Sequence, residues 1–178
     1  MPVNYPWYIL IQDKSLEQGD ILYSCPVFEP LQPVEADGNI KAEIDADVNL
    51  YDVLILSQSC DLAEGKIQTV LVCPHWPVTK LDEWEDHFKS SKGKEDVRRG
   101  NIPGLHLIAS CDIEGFISPV RVVSFRQVFS LPLGYIKKLA NPDVPRLRLL
   151  PPYREQLAQA FARFIMRVGL PVDIPAFK

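Results

Sequence analysis

Long apolar runs are missing from this sequence of 178 residues. None approaches the roughly 20 residues needed to cross a bilayer, so a membrane-spanning protein is not expected. The stretch Met1-Pro-Val-Asn-Tyr5 has neither the basic start nor the apolar centre of a signal peptide, and a cytoplasmic protein is the expectation. Cysteines are few and far apart: Cys25, Cys60, Cys73 and Cys111 contain no Cys-x-x-Cys pair. Free thiols rather than a disulfide framework are expected in a reducing compartment. Net charge is only -4, so no global field points to nucleic acid, although local basic segments could bind it. Glycine is scarce beside proline, 9 against 16. Proline suits neither helix interiors nor central strands, and its abundance predicts short strands joined by stiff connections. Neither an internal repeat nor a low-complexity segment is present.

What remains is a globular composition, 24% charged and 47% apolar. The length fits a single domain with a helical appendage. The expected organisation is a β domain over 1–150 with an insertion at 79–103, and a C-terminal helix and tail, 151–178, packed on the same domain.

The most informative stretch runs from Val53 to Leu62, where Val53-Leu-Ile-Leu56 reads as a strand buried on both faces. It leads straight into the polar cluster Ser57, Gln58, Ser59, Cys60 and Asp61, and strand ends are where folds tend to keep sites. Before it, residues 1 to 8 predict an arm docked by Tyr5, Trp7 and Tyr8. Gln18-Gly-Asp-Ile-Leu-Tyr23 predicts a turn into a strand. The acidic, proline-bearing segment from Pro26 to Val48 predicts a meandering hairpin or loop with solvated charges around an Asp37-Gly38 turn. After it, the turn Ala63-Glu-Gly-Lys66 returns the chain into Ile67 to Cys73, an antiparallel partner that Pro74 and Pro77 should stop. Leu81, Trp84, His87 and Phe88 are spaced for one face of a short helix. Residues 89–100 show no apolar period and predict a mobile cationic loop. Leu105–Ser110 and Val120–Phe125 predict strands, and Phe125–Pro132 a turn or short helical segment closing a barrel. Arg146-Leu-Arg-Leu-Leu150 alternates as a half-exposed strand does. A helix over Tyr153–Val168 follows Pro151-Pro152, with Leu157, Phe161, Phe164, Ile165 and Val168 on one stripe and Gly169 and Pro171 as its stop. That stripe should pack on its own domain, with a partner's groove as the alternative.

In this order, Gly19-Asp-Ile21, Val53-Leu-Ile-Leu-Ser57, Val70-Leu-Val-Cys-Pro74 and Val123-Ser-Phe-Arg-Gln-Val128 resemble the PemK/MazF-like family, the SH3-like barrel of toxin-antitoxin ribonucleases. The resemblance covers roughly the first three quarters of the chain in pattern. It implies a mainly β fold (β+α), a small SH3-like barrel with an inserted short helix and a C-terminal amphipathic helix. The family usually leads into the buried strand with Arg-Pro, whose arginine stabilises charge at the scissile phosphate; here that place reads Tyr51-Asp52. A second family hydroxyl has only Thr69 as a loose counterpart. The segment Ser57-Gln-Ser-Cys-Asp-Leu62 resembles one in uncharacterised bacterial relatives of this barrel, including partners encoded near defence or signalling systems.

The candidate catalytic groups are Ser57, Ser59, Cys60 and Asp61. Cys60 as a nucleophile would need His75 or His106 as base; the plainer reading is a buried thiol serving as a small hydrophobe. Asp61-x-x-Glu64 imitates a capping box. A zinc set would draw on Cys60, Cys73 and His75, with His106 or Cys111 added, but only Cys73-x-His75 has local ligand spacing; no metal or other cofactor is expected. Candidate binding residues are Gln58, Asp61, Arg98, Arg99, His106 and Arg126. Lys89, Lys92, Lys94, Arg98 and Arg99 could track a phosphate backbone, although no stacking aromatics interleave with them and such runs are usually solvated surface.

The resulting expectation is a non-catalytic protein-interaction or regulatory module of a bacterial toxin-antitoxin or defence system, with a protein partner and, as an open alternative, a homodimer. The competing expectation is a divergent endoribonuclease acting on RNA, in which Ser57, Ser59, Asp61 or Arg126 replaces the usual groups.

Overall fold

Val53, Leu54 and Ile55 are fully buried and Leu56 is 3% exposed because the strand they form has a core on each face. The computed structural model describes residues 5–30 and 46–166. The Asp37-Gly38 turn and the chain beyond Met166, including Val168, Gly169 and Pro171, lie outside the described residues. In chain order the elements are β1 (Tyr8–Ile11), β2 (Ile21–Pro30), β3 (Ala46–Ile55), α1 (Ser59–Ala63), β4 (Thr69–Pro77), α2 (Leu81–Trp84), α3 (Ser91–Arg98), β5 (Leu105–Ile108), β6 (Arg121–Ser124), β7 (Phe129–Pro132), α4 (Leu133–Leu139), β8 (Arg146–Leu149) and α5 (Tyr153–Ile165). Short 3-10 turns at Val78–Lys80 and Asp86–Lys89 complete the insertion.

The six-stranded sheet runs β2-β3-β4-β6-β5 with β7 also paired to β4, and β1 and β8 form a separate pair. Every pairing is antiparallel. Since β2 and β5 are not paired with each other, the sheet does not close through its described strands. The fold is therefore a mixed one of helices and antiparallel sheets. The expected β3–β4 hairpin is present at its centre, with Leu54 opposite Cys73. Alternation along β3 sends Val53 and Ile55 to a core shared with β2, β7 and α4, and Leu54 and Leu56 to a core shared with β6, β8 and α5.

Several expectations are corrected. Pro74 and Pro77 do not stop β4: Pro74 is its last rung against β3 and Pro77 its last against β6, the positions where a missing N–H disrupts least. The stretch Phe125–Pro132 ends in the strand β7, and α4 follows it unforeseen, although Leu133, Ile136, Leu139 and Ala140 carry a helical apolar period. Residues 89–100 hold a helix rather than a mobile loop. Ser90 caps α3 by accepting the Gly93 N–H at 3.0 Å, and Gly93 and Val97 form its buried face. Several charges of this segment are paired within the insertion, Lys94 with Asp82 of α2 at 2.8 Å and Arg98 and Arg99 both with Glu95 at 2.6 and 2.7 Å. Of the expected helical stripe before it, Leu81 and Phe88 are buried and Trp84 partly so, but His87 is exposed, because the chain breaks at Glu85 into a 3-10 turn.

The largest departure is β8, which is buried on both faces instead of half exposed. Leu147 and Leu149 enter the α5 core, while Arg146 and Arg148 reach the carboxylate of Asp20, itself 0% exposed. Arg146 Nε donates to Oδ2 at 2.9 Å, Arg148 Nη2 donates to Oδ2 at 3.0 Å, and Arg148 Nε donates to Oδ1. Glu17 extends the network, accepting from Arg148 at 2.6 Å and from Arg154 of α5 at 2.8 Å. Gly19 makes the approach close: its φ is +89°, and a Cβ there would stand 3.1 Å from Leu149 Cβ. This cluster ties the β1–β8 pair to the main sheet and fixes where α5 begins. Of the expected N-terminal arm, residues 1–4 lie outside the described residues and Tyr5 is exposed, but Trp7 stacks on Tyr153 at 3.5 Å between centroids and Tyr8 packs on the core as the first residue of β1.

Candidate functional site

The polar cluster after β3 leads into α1, and its two serine side chains hold backbone. Ser57 Oγ accepts from the Leu71 N–H at 2.9 Å and Ser59 Oγ from the Gln18 N–H at 3.1 Å. Gln18 in turn donates to the Leu56 carbonyl at 2.7 Å. Asp61 lies inside the first turn of α1 rather than at its cap, and Gln58 at the N-cap position makes no capping hydrogen bond. Cys60 is exposed, which corrects the reading of a buried small hydrophobe. Its thiol has one hydrogen-bond partner among the described residues, the Asp61 carboxylate at 3.7 Å. Ser57, Gln58 and Asp61 do share a shallow cavity of about 440 Å³ with Gln18 and one side of α5.

On the other side of α5 lies a larger groove of about 830 Å³, and it brings together three of the six expected binding residues, Arg98, Arg99 and His106, while Gln58 and Asp61 line the smaller cavity. Arg98 and Arg99 reach it from the end of α3, His106 from β5, and Gln156 and Arg163 from α5. Leu105, Ile108, Phe125 and Phe164 supply apolar lining. Arg126 stands at its rim, its Cγ beside Gly104 and its guanidinium 3.4 Å from Glu85. Gly104 has a φ of +90°, and a Cβ there would fall 2.9 Å from the Phe164 ring. Only glycine lets that ring lie against the entrance of β5. The His106 ring stacks over Phe125 with centroids 6.2 Å apart. Arg163 was not legible as a binding residue, since on its own helix it reads as solvated surface and C-terminal dipole complement.

A third cluster emerged only from the structure. Arg121 of β6 donates through Nε to His75 Nδ1 at 2.6 Å and through Nη2 to Asp52 Oδ2 at 2.7 Å. An arginine thus reaches the Tyr51-Asp52 position from another strand, but it is held there by two partners. Because His75 Nδ1 accepts, the proton of the neutral ring sits on Nε2, which is buried without a hydrogen-bond partner among the described residues. The bulge in β2 lies alongside, where Ser24, at φ 51°, donates its N–H to Asp52 Oδ1 at 3.1 Å.

Burial, with help from the charge of Arg121, pushes the His75 imidazole down to about 3. Burial and the nearby Arg163 push His106 down to about 4. In the unfolded chain both titrate near 6.5. Above that pH neither ring affects folding; between about 6.5 and 4 the unfolded chain takes up protons that the folded chain refuses, so stability falls as pH falls. The slope is at most about 1.4 kcal/mol per pH unit per ring. Urea unfolding between pH 6.5 and 5, where carboxylates contribute little, should show that decline, and His106→Gln should remove about half of it. An unchanged slope in the variant would contradict the assignment.

Among the described residues no group of three His, Cys, Asp or Glu side chains stands close enough to hold a metal ion. Cys73 and His75 are buried in β4, whereas Cys60 is exposed on α1. No helix among the described residues is long and apolar enough to cross a membrane. No protein-family model matches the chain, and comparison with curated proteins finds no match.

Proposed function

We propose that this chain is a non-catalytic interaction or regulatory module of a bacterial toxin-antitoxin or defence system, built on a divergent PemK/MazF-like, SH3-like barrel. The antiparallel run β2-β3-β4-β6-β5, with β7 folded back onto β4, supports a small β-rich domain, and its assignment to the barrel family rests on the resemblance of the strand motifs alone. The functional reading rests on the groove between β5 and α5, where Arg98, Arg99, His106 and Arg163 converge over apolar side chains. A concave, mostly apolar surface with a few convergent polar groups is what a binding module needs. Among the described residues the reactive groups are engaged elsewhere: the Cys60 thiol meets only the Asp61 carboxylate, the serine hydroxyls hold backbone, and Arg121 is held by Asp52 and His75. The groove lies between the 79–103 insertion and the C-terminal helix, so a partner resting on both would sense what occupies it. Affinity purification of the full chain from its host should recover a protein partner in stoichiometric amount. Recovery of the chain alone under every growth condition would reject the module.

The second reading, a divergent endoribonuclease, is favoured by one observation: Arg121 supplies a guanidinium at Asp52, where the resemblance places an arginine. Expression should then arrest growth and the purified chain should cleave a mixed RNA substrate, both lost in Arg121→Gln. Neither arrest nor cleavage would dispose of it.

A further inference from the structure

We infer that the groove between β5 and α5 binds a small anion with an apolar body, its carboxylate or phosphate head held by Arg98, Arg99 and Arg163. This rests on the groove being the module's binding surface, and it adds the ligand that would regulate that surface.

Three observations converge. The cavity of about 830 Å³ is the size that encloses one small organic molecule. Among the described residues its three arginines have one carboxylate between them. Arg98 and Arg99 share the single carboxylate of Glu95, and Arg163 donates only to the Gln159 carbonyl, at 3.3 Å, with no acid partner among the described residues. Guanidinium groups in that condition favour a carboxylate or phosphate, which they can bind with two parallel N–H donors. The remaining lining is apolar and aromatic, from Leu105, Phe125 and Phe164, and offers a hydrated inorganic ion nothing. His106 adds an uncharged ring, one nitrogen donating and one accepting, between the cationic rim and Phe125. Gly104 keeps the floor flat, since any side chain there would drive into Phe164 and Arg126.

The full-length chain is titrated calorimetrically with 1-naphthyl phosphate, 1-naphthoate, 1-naphthol and inorganic phosphate. At least one naphthyl anion should bind about tenfold or more tightly than both 1-naphthol and inorganic phosphate. Which of the two anions binds better tells phosphate from carboxylate as the natural head. Arg163→Gln should weaken that binding by about tenfold while leaving Tm unchanged. Ala160→Trp should abolish it by filling the groove from α5, and Arg163→Gln keeps the test decisive if that variant fails to fold. Binding of 1-naphthol equal to that of the anions, absence of binding by either anion at millimolar concentration, or indifference to Arg163→Gln would overturn the inference. A chain that recovers its protein partner yet ignores both anions would overturn this inference alone. Anion binding without any partner would support it and reject the module.

Discussion

Asp20→Ala is expected to lower the unfolding free energy by about 3 to 5 kcal/mol, the range seen when one partner of a buried ion pair is removed. Asp20 is 0% exposed, and the side chains of Arg146 and Arg148 are 3% and 8% exposed, so neither guanidinium can turn to water when the carboxylate goes. Glu17 still reaches Arg148 at 2.6 Å and Asp13 still faces Arg146 at 3.7 Å, which places the loss nearer 3 than 5 kcal/mol. Asp13→Ala serves as the contrast: that side chain is 60% exposed, and removing it should cost far less than removing Asp20. Urea denaturation at neutral pH measures both. A loss under about 1 kcal/mol for Asp20→Ala would mean that the two arginines find other acceptors and that the cluster does not anchor β8.

Gly93→Ala should destabilise the protein by about 2 to 3 kcal/mol, against the ordinary helix preference for alanine of about 1 kcal/mol. The Cβ would overlap the His87 carbonyl oxygen and come within 2.8 Å of the His87 carbonyl carbon and 3.0 Å of Phe88 Cα. All three are backbone atoms, so α3 itself must move off the preceding 3-10 turn. The groove should suffer with it, because α3 ends in Arg98 and leads directly into Arg99. Gly134→Ala, in α4 with nothing within 4 Å of the added Cβ, should instead be neutral or stabilising by up to about 1 kcal/mol. Opposite signs in one denaturation experiment would confirm that α3 is packed by contact rather than solvated, and equal effects would contradict it.

The candidate site was partly legible in advance. Arg98, Arg99 and His106 read as binding residues from the sequence, and the structure brings them to one groove. Cys60 and Asp61 read as candidates as well, but their neighbours Ser57 and Ser59 hold backbone, and Cys60 faces solvent beside a carboxylate. Arg163 and Arg121 escaped notice because a lone arginine on an amphipathic helix or a short strand has no local signature. α3 escaped notice because its buried face consists of Gly93 and Val97, too little apolar surface to show a period.

By itself the sequence determined the β3–β4 hairpin, the burial of Val53 to Leu56 and the helix that begins at Tyr153. Each of these follows from side-chain period and turn chemistry within a few residues, which act whatever the rest of the chain does. Tertiary structure alone decided that Arg146 and Arg148 are interior, since their partner Asp20 lies 126 and 128 positions away. An alternating strand of leucine and arginine is ordinarily half exposed, and only a carboxylate delivered from a distant turn makes its charged face burial-competent. The same holds for the groove, whose arginines come from α3 and α5 and meet only because β5 lies between them.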